Sequence, residues 1–536
     1  MTKRSYSRWE KYCTFLFADP SSGISVDVSG ADFPISYPEA MAKPMARAFA
    51  AMAALEHGDI ANADEGRRVG HYWLRAPARA PDRRTAAALE NSWALLGGFA
   101  DRVRTGELSG VGGRFRNLIH VGIGGSATGV QMLCDAWRHR SDDVCVQVLD
   151  NADPDGVDRV IGNLVGGLGQ TLVSVVSKSG ITPTPWHVML ALERAYSDAG
   201  ATFAAHAVAT TMAGSDLAER AFANRWLQTF PLWEWVGGRY SVTSMVGLLP
   251  AALLGVRTEE FLAGAARMDE CTRVTAIEKN PAALLALTWF WLGGGIGERN
   301  MVVLPYRDEL VGLTRWIQQL VMESVGKRVD RTGRIVHQGL TVYGHKGVSD
   351  QHSYLQQLRE GRDDSFVMFI GTHRARGACP RGIDPSDTLD GHLFGGLLGT
   401  MRALSERGRP SIVIMLPDSD EHSLGGLVAL FERAVGLYAE LIDVNAYDQP
   451  GVDKHVAVKI LELQKDALAC LARAGGPMTA LTVAEKIGVA EHADIVHRLL
   501  EHLSIGRPDV IAATPGATPA ETVFFTPNEC ARDDRR

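Results

Sequence analysis

At 536 residues the chain is long enough for about three domains, and a hydrophobic content of 46% supplies them with cores. With 22% charged residues and a net charge of −7, the composition is that of an ordinary globular protein and speaks against a binder of nucleic-acid backbone. The longest apolar runs, 282–295 and 245–256, are too short to span a bilayer, and the second contains Pro250.

In chain order, the basic start MTKRSYSRWEKYCTFLFADP has its apolar run broken by Asp19 and does not read as a signal peptide. Residues 1–110 are expected to be mainly helical, with Ala-rich amphipathic segments at 39–56 and 84–104. From 111 the pattern changes to short β-branched strands, Gly-rich turns and helices in alternation. Leu118–Val121, Val144–Leu149 and Leu172–Val176 read as buried parallel strands, being apolar runs without a period of two. Helices are expected at 127–139 and 185–198, then a helical stretch over 242–295. A second alternation begins with strands at Met301–Leu304, Gly339–Tyr343, Phe366–Ile370 and Ile412–Met415. The expected fold is α/β: two doubly wound α/β/α domains at 111–265 and 266–465, a helical N-terminal segment at 1–110 and a helical C-terminal extension at 466–536. The extension includes LTVAEKIGVAEHADIVHRLLEHL at 481–503, whose mixed charge favours an accessory packing module over DNA contact. Seven cysteines are scattered without C-x-x-C spacing, so neither a zinc site nor a disulfide framework is expected, and a reducing cytoplasm fits best.

The helical stretch Arg315–Lys327 sets Leu313, Ile317, Leu320 and Val321 on one side, with Trp316, Gln319 and Glu323 together on the adjacent flank. A carboxylate at the edge of an apolar stripe is a candidate general base. The plainer alternative is a surface pair between Glu323 and Lys327, four residues on. Earlier in the chain, the turn Val121-Gly-Ile-Gly-Gly-Ser-Ala-Thr-Gly129 stands between a strand and a helix and could cradle an anion or polyol. Gly122, Gly124 and Ala127 also satisfy the dinucleotide pattern G-x-G-x-x-A, with Asp150 where a ribose-binding acid would stand. In Ser177-Lys-Ser-Gly-Ile-Thr-Pro-Thr184, the residues Ser177, Lys178, Ser179 and Thr182 gather hydroxyls and a cation at a helix start, as a single-phosphate pocket would. Simple capping is the alternative there. Arg239, after a Gly–Gly turn, could stabilise an oxyanion or lie on the surface. His352 sits in a polar loop of the kind that carries catalytic groups, and Gln449 and Lys454 in a second polar turn.

Taken together and in order, GHYWLR, GIGGS, SKSGITP, GGRYS, QQLVMES, the G-x-x-G-x-x-x-QHS run and NAYDQPGV resemble the glucose-6-phosphate isomerase family, most nearly its cyanobacterial and plastid-type branch. The resemblance spans roughly residues 60–505. It implies two sugar-isomerase domains, a homodimer, a sugar-phosphate substrate, and no metal or cofactor. It implies reversible isomerisation of glucose 6-phosphate and fructose 6-phosphate through an enediolate, in glycolysis and gluconeogenesis. Carried onto matching positions, it implies that Ser177, Lys178, Ser179 and Thr182 hold the 6-phosphate and that Glu323 moves the proton between C1 and C2. Arg239 would stabilise the enediolate, and Gly125, Ser126, Gln319 and Gln449 would line the sugar site. His352 would open the ring, reaching across the dimer into the partner's site. The family's ring-opening Lys stands eight residues after the Asp of D-Q-x-G-V, where this chain has Val456; alignment backward from Ile460–Gln464 puts Lys454 in that slot instead. Ile181 and Thr184 replace the usual residues of the phosphate turn. Two other readings are an NAD(P)-dependent oxidoreductase, which leaves the phosphate turn, Glu323 and His352 without work, and a non-catalytic sugar-phosphate binder, which needs neither Glu323 nor His352.

Overall fold

Strands that are apolar on both faces require helices on both faces, and the two parallel sheets of this protein are built that way. They lie in the first of two compact units, Met1–Gln449 and Pro450–Arg536. The computed structural model describes residues 7–63, 65–137, 144–375, 382–384, 387–451 and 456–527.

The chain begins with an antiparallel hairpin, β1 (Leu16–Ala18) and β2 (Ser25–Asp27), then two long helices, α1 (Ala42–His57) and α2 (Arg83–Thr105). The first parallel sheet holds β3 (Asn117–Val121), β4 (Cys145–Leu149), β5 (Thr171–Val176), β6 (Ala207–Thr211) and β7 (Gln228–Pro231), in the order β7-β6-β5-β3-β4. Helix α3 (Gly125–Trp137) follows β3, and α4 (Pro183–Asp198) follows β5. Helices α5 (Met245–Leu253), α6 (Thr258–Thr272) and α7 (Pro281–Leu292) lead to the second sheet. There β8 (Asn300–Pro305), β9 (Val342–Tyr343), β10 (Ser365–Thr372) and β11 (Ser411–Leu416) are parallel in the order β9-β8-β10-β11, and the hairpin adds β2 and β1 antiparallel beyond β11. Helix α8 (Val311–Val325) stands between β8 and β9 in sequence, α9 (Leu389–Ser405) precedes β11, and α10 (Glu421–Leu441) follows it.

The alternation of side chains explains why these strands read as continuous apolar runs. Leu118, Leu172, Val176, Met301, Val303, Phe366, Met368 and Ile370 enter one core shared by the two sheets. Their neighbours point the other way: Ile119, Val121, Val173 and Val175 pack under α4, and Val302, Leu304, Val367 and Phe369 under α9. Each such side chain, fully buried, contributes roughly 1.5–3 kcal/mol. Helix α10 runs through the shared core against α1, α6 and α7, buried almost throughout. The charges it carries inside are answered: Arg75 donates to both oxygens of Asp269 at 2.6 and 2.9 Å and also to Glu432, while Arg433 pairs with Glu56. Burial pushes the Glu432 carboxyl upward, against the pull of Arg75.

The expected parallel layers from 111 onward are present, with differences at particular elements. Strands β6 and β7 carry Ala, Thr, Gln and Pro and give no apolar run, although every residue of β6 is buried. The hairpin β1–β2 stands within the segment expected to be mainly helical. The strand expected over Gly339–Tyr343 shortens to Val342–Tyr343, because β9 is an edge strand paired to β8 over two residues and Gln338 belongs to a separate hairpin. Among the described residues no helix is long and apolar enough to cross a membrane.

The second unit comprises α11 (Val456–Ala474), β12 (Met478–Thr479), α12 (Ala480–Lys486), α13 (Ala493–Gly506), β13 (Ala512–Thr514) and β14 (Val523–Phe525). The sheet order β12-β14-β13, all antiparallel, is that of a winged helix. Its core gathers Leu471, Val483, Val496, Leu500, Ile511 and Phe524. Helix α13 mixes Asp494 and Glu501 with Arg498, and the connection 515–522 has neither Lys nor Arg.

Candidate active site

The connection from β3 runs outward to β4, and the return from β4 passes to β5 on the other side of β3. The carboxyl ends of β3 and β5 therefore flank a topological switch point, where open α/β sheets place ligands. The two turns singled out by their chemistry begin there: Gly122–Ser126 after β3 and Ser177–Thr182 after β5.

The first turn is shaped by what presses on it. Gly124 adopts a left-handed conformation (φ +58°). A Cβ on Gly125 would stand 2.0 Å from the carbonyl carbon of Gly238 and 2.5 Å from the nitrogen of Arg239, so only glycine lets the loop carrying Arg239 lie flat on the turn. A Cβ on Gly124 would come within 3.3 Å of Nε2 of Gln319. In a dinucleotide fold the second glycine admits a pyrophosphate. Here the approaches to Gly124 and Gly125 are taken by Gln319 and by the Gly238–Arg239 backbone, and Asp150 accepts a hydrogen bond from Gln131 at 2.9 Å. Ser241 Oγ donates to the Gly125 carbonyl at 3.2 Å and fastens the two segments together.

Beneath the turn, the buried His120 ring bonds through Nε2 to the carbonyl of Ser126 at 2.7 Å, and its Nδ1 has no partner among the described residues. Burial lowers its pKa to about 4, with the bond to Ser126 opposing. The folded state thus keeps the ring neutral, while an unfolded chain would protonate it near pH 6.5. Stability from this group is complete above that pH and is lost as pH falls toward 4, to the extent of about 3 kcal/mol. His120→Gln, which retains a donor for Ser126, should give a denaturation free energy that declines less steeply than the unsubstituted chain's between pH 6.5 and 4.5. Parallel declines would contradict this.

In the second turn, Ser177 Oγ and Thr182 Oγ1 are 3.1 Å apart, and the Gly180 N–H donates to Ser177 Oγ at 3.1 Å. Thr182 precedes α4 but makes no side-chain cap bond, so capping does not account for its hydroxyl. Prolines at 183 and 185 remove two N–H groups from the helix start, which leaves this turn richer in hydroxyls than in helical N–H groups. Ser177 is buried and Ser179 exposed. Lys178 directs its ammonium to the carbonyls of Glu234 and, at 3.0 Å, Val236, tying this turn to the loop that carries Arg239.

Glu323 projects from α8 into this junction. Its Oε1 lies 3.0 Å from Nη1 of Arg239, and its Oε2 accepts from Nε2 of Gln319 at 3.0 Å. The i,i+4 alternative is answered directly: Lys327 Nζ donates to the backbone carbonyl of Glu323 at 2.9 Å and pairs with Asp448 Oδ1 at 3.1 Å, leaving the Glu323 carboxylate to Arg239 and Gln319. Arg239 is buried, and its Nη2 donates to the carbonyls of Ala446 and Asp448 at 2.9 and 2.7 Å. Tyr240 and Ser324 share a hydroxyl bond of 2.9 Å behind the pair.

The structure therefore brings together Gly125, Ser126, Lys178, Arg239, Gln319 and Glu323, with the hydroxyls of Ser177, Ser179 and Thr182 on the neighbouring turn. Gln449 is exposed and follows Asp448, whose carbonyl Arg239 holds. His352 stands elsewhere: it is exposed on a one-turn helix, Ser349–His352, beside Gln351, Thr388 and His392. Among the described residues no hydrogen bond or ion pair joins it to Glu323, Arg239 or Gln319. Lys454 lies outside the described residues. Two further charged residues meet at the junction, Lys327 and Asp448, a pairing that helical spacing does not show. Burial lowers the pKa of the Lys327 ammonium, the Arg239 charge adds to this, and Asp448 opposes it. The signal was present in Asp448, the acid of NAYDQPGV, which spacing alone gave no partner.

A family model described as phosphoglucose isomerase matches residues 41–380. The glucose-6-phosphate isomerase of Synechococcus sp. (strain JA-3-3Ab) is 48% identical over 518 residues, covering 96% of this chain and 97% of the relative. That of Geobacter sulfurreducens is 47% identical over 526 residues, covering 97% and 99%. Among solved structures, a glucose-6-phosphate isomerase from Chlamydia trachomatis D/UW-3/Cx superposes with a TM-score of 0.77 at 27% identity, covering 85% of this chain and 91% of that one.

Proposed function

We infer the reaction from one premise: the chain belongs to the phosphoglucose isomerase family. It is an aldose–ketose isomerase that interconverts glucose 6-phosphate and fructose 6-phosphate. The observation that carries the site assignment is the Glu323 carboxylate held between Arg239 and Gln319 at the switch-point turns. In the open-chain aldose, Glu323 removes the proton from C2 and the carbonyl oxygen at C1 gains negative charge. The proton on O2 passes to O1, and the same carboxyl returns the proton it took from C2 to C1 as the carbonyl forms at C2. Arg239, adjacent to the base, meets the charge on the enediolate oxygens, where a preformed cation contributes most. Gln319, Gly125, Ser126 and Gln449 line the sugar.

Ser177, Ser179 and Thr182, with Lys178 fixing their turn, receive the 6-phosphate, whose binding energy orients the reacting carbons. His352 and Lys454 open the ring, His352 from the partner subunit of a homodimer. Its exposed position away from Glu323 supports that exchange. We assign 111–265 and 266–465 to two sugar-isomerase domains, one parallel sheet in each, and place the protein in the cytoplasm, where its scattered cysteines stay reduced.

The phosphate assignment has its own test. Thr182→Val and Ser179→Ala should each weaken binding of fructose 6-phosphate by about tenfold, the loss of one hydrogen bond to a charged group, while fructose binding stays unchanged. Calorimetric titration with both sugars reads the difference. Equal losses for both would return these residues to a purely structural role.

A further inference from the structure

Lys327 and Asp448 are the two charged residues at the junction to which the isomerase reading gives no work, and the inference here rests on that reading. Both side chains are nearly enclosed, 4% and 10% exposed. Taking an ammonium and a carboxylate out of water is unfavourable unless the pair is well hydrogen-bonded, and an apolar pair would fill the same space at no such cost. The bonds they make are specific. Lys327 stands one turn past Glu323, beyond Gly326 at the end of α8, and folds back to donate to the Glu323 carbonyl at 2.9 Å. It also donates to the Asp448 carbonyl at 3.3 Å and meets Asp448 Oδ1 at 3.1 Å. Arg239 donates to that same Asp448 carbonyl at 2.7 Å, and its other nitrogen meets the Glu323 carboxylate at 3.0 Å.

These bonds close a circuit: Glu323 backbone, Lys327, Asp448, Arg239, Glu323 carboxylate. The base is held at both ends, and the guanidinium is referenced to the same two residues. We propose that Lys327 and Asp448 are positioning residues that fix the proton-transferring carboxylate and the enediolate-stabilising guanidinium relative to each other without touching the sugar. Both groups must meet one substrate pose, the carboxylate over a C–H bond and the guanidinium at the adjoining oxygen. A displacement of about 1 Å between such groups costs on the order of 10²-fold in rate. Asp448 also sets the start of the segment carrying Gln449, so the circuit reaches the sugar-lining residue next to it.

The experiment compares Lys327→Met, Lys327→Arg and Asp448→Asn in the full chain, with kcat and KM for fructose 6-phosphate and a thermal midpoint for each. Lys327→Met should lose about 10²-fold in kcat with KM changed by less than about threefold, and Lys327→Arg, which restores charge and donors, should recover at least about tenfold of that loss. If Lys327→Met does not fold, Asp448→Asn keeps the backbone carbonyl that Arg239 uses and should still lose about tenfold in kcat. A folded Lys327→Met or Asp448→Asn with kcat within about threefold of the unsubstituted chain overturns the proposal. So does a loss confined to KM, or an Lys327→Arg variant no better than Lys327→Met. Failure of the underlying reading looks different: the unsubstituted chain itself would not turn over fructose 6-phosphate, and the proposal would fall with it.

Discussion

Glu323→Gln should lose between about 10² and 10⁴-fold in turnover while binding fructose 6-phosphate as tightly as the unsubstituted chain. The amide keeps the size of the carboxylate, and its carbonyl can accept the bond that Arg239 or Gln319 donates. What it lacks is a basic oxygen, so the proton on C1 or C2 has no acceptor, although orientation by the proposed phosphate turn and the cation of Arg239 remain. The loss should therefore fall on kcat with little change in KM, the signature of an interaction made in the transition state. Substitutions that weaken packing lower the folded fraction, so circular dichroism at the assay temperature separates the two causes. Turnover within a few-fold of the unsubstituted chain would remove Glu323 from the chemistry.

Mixing two inactive variants should restore activity. His352 is exposed, and among the described residues no hydrogen bond or ion pair joins it to Glu323, Arg239 or Gln319; the proposed loan of this histidine across a homodimer is what the mixture tests. In a two-fold dimer that exchanges this residue, a Glu323→Gln subunit paired with a His352→Ala subunit has one site with both lesions and one with neither. Equal amounts, dissociated and reassociated at random, give half heterodimers, each with one whole site, so about a quarter of the full specific activity should appear. If base and histidine came from one chain, every site would keep a lesion and the mixture would stay inactive. Native mass spectrometry confirms that heterodimers have formed in either case.

What could be read in advance follows from how locally each feature is encoded. Strands β3, β5, β8, β10 and β11 are buried on both faces by Val, Ile, Leu, Phe and Met, so composition alone marks them. Strand β6 is as buried, but its Ala-Val-Ala-Thr-Thr offers small and polar side chains whose burial depends on neighbours elsewhere in the chain. The hairpin β1–β2 is three residues a side, and its partner β11 stands almost at the other end of the first unit, a pairing that no window of sequence contains. The site divides in the same way. Glycine at 124 and 125, the hydroxyls of 177–182 and the placement of Glu323 on α8 are local properties of chain and chemistry. The pairing of Lys327 is not. Helical spacing offers it Glu323, whereas the fold gives Glu323 to Arg239 and gives Lys327 to Asp448, because the turn at 446–448 comes in from a distant segment to cover the end of α8.

Solvent exchange at C2 reads the central claim, that Glu323 carries a proton between C1 and C2, most directly. The purified chain is incubated with glucose 6-phosphate in D2O until the sugars reach equilibrium, and the C2 position is followed by proton NMR. Through an enediolate, a carboxyl whose proton exchanges with solvent while the enediolate is bound replaces the C2 hydrogen by deuterium, and Glu323→Gln slows this in proportion to its loss of turnover. Equilibration of the two sugars with the C2 hydrogen fully retained, or exchange at an undiminished rate in Glu323→Gln, would contradict the account.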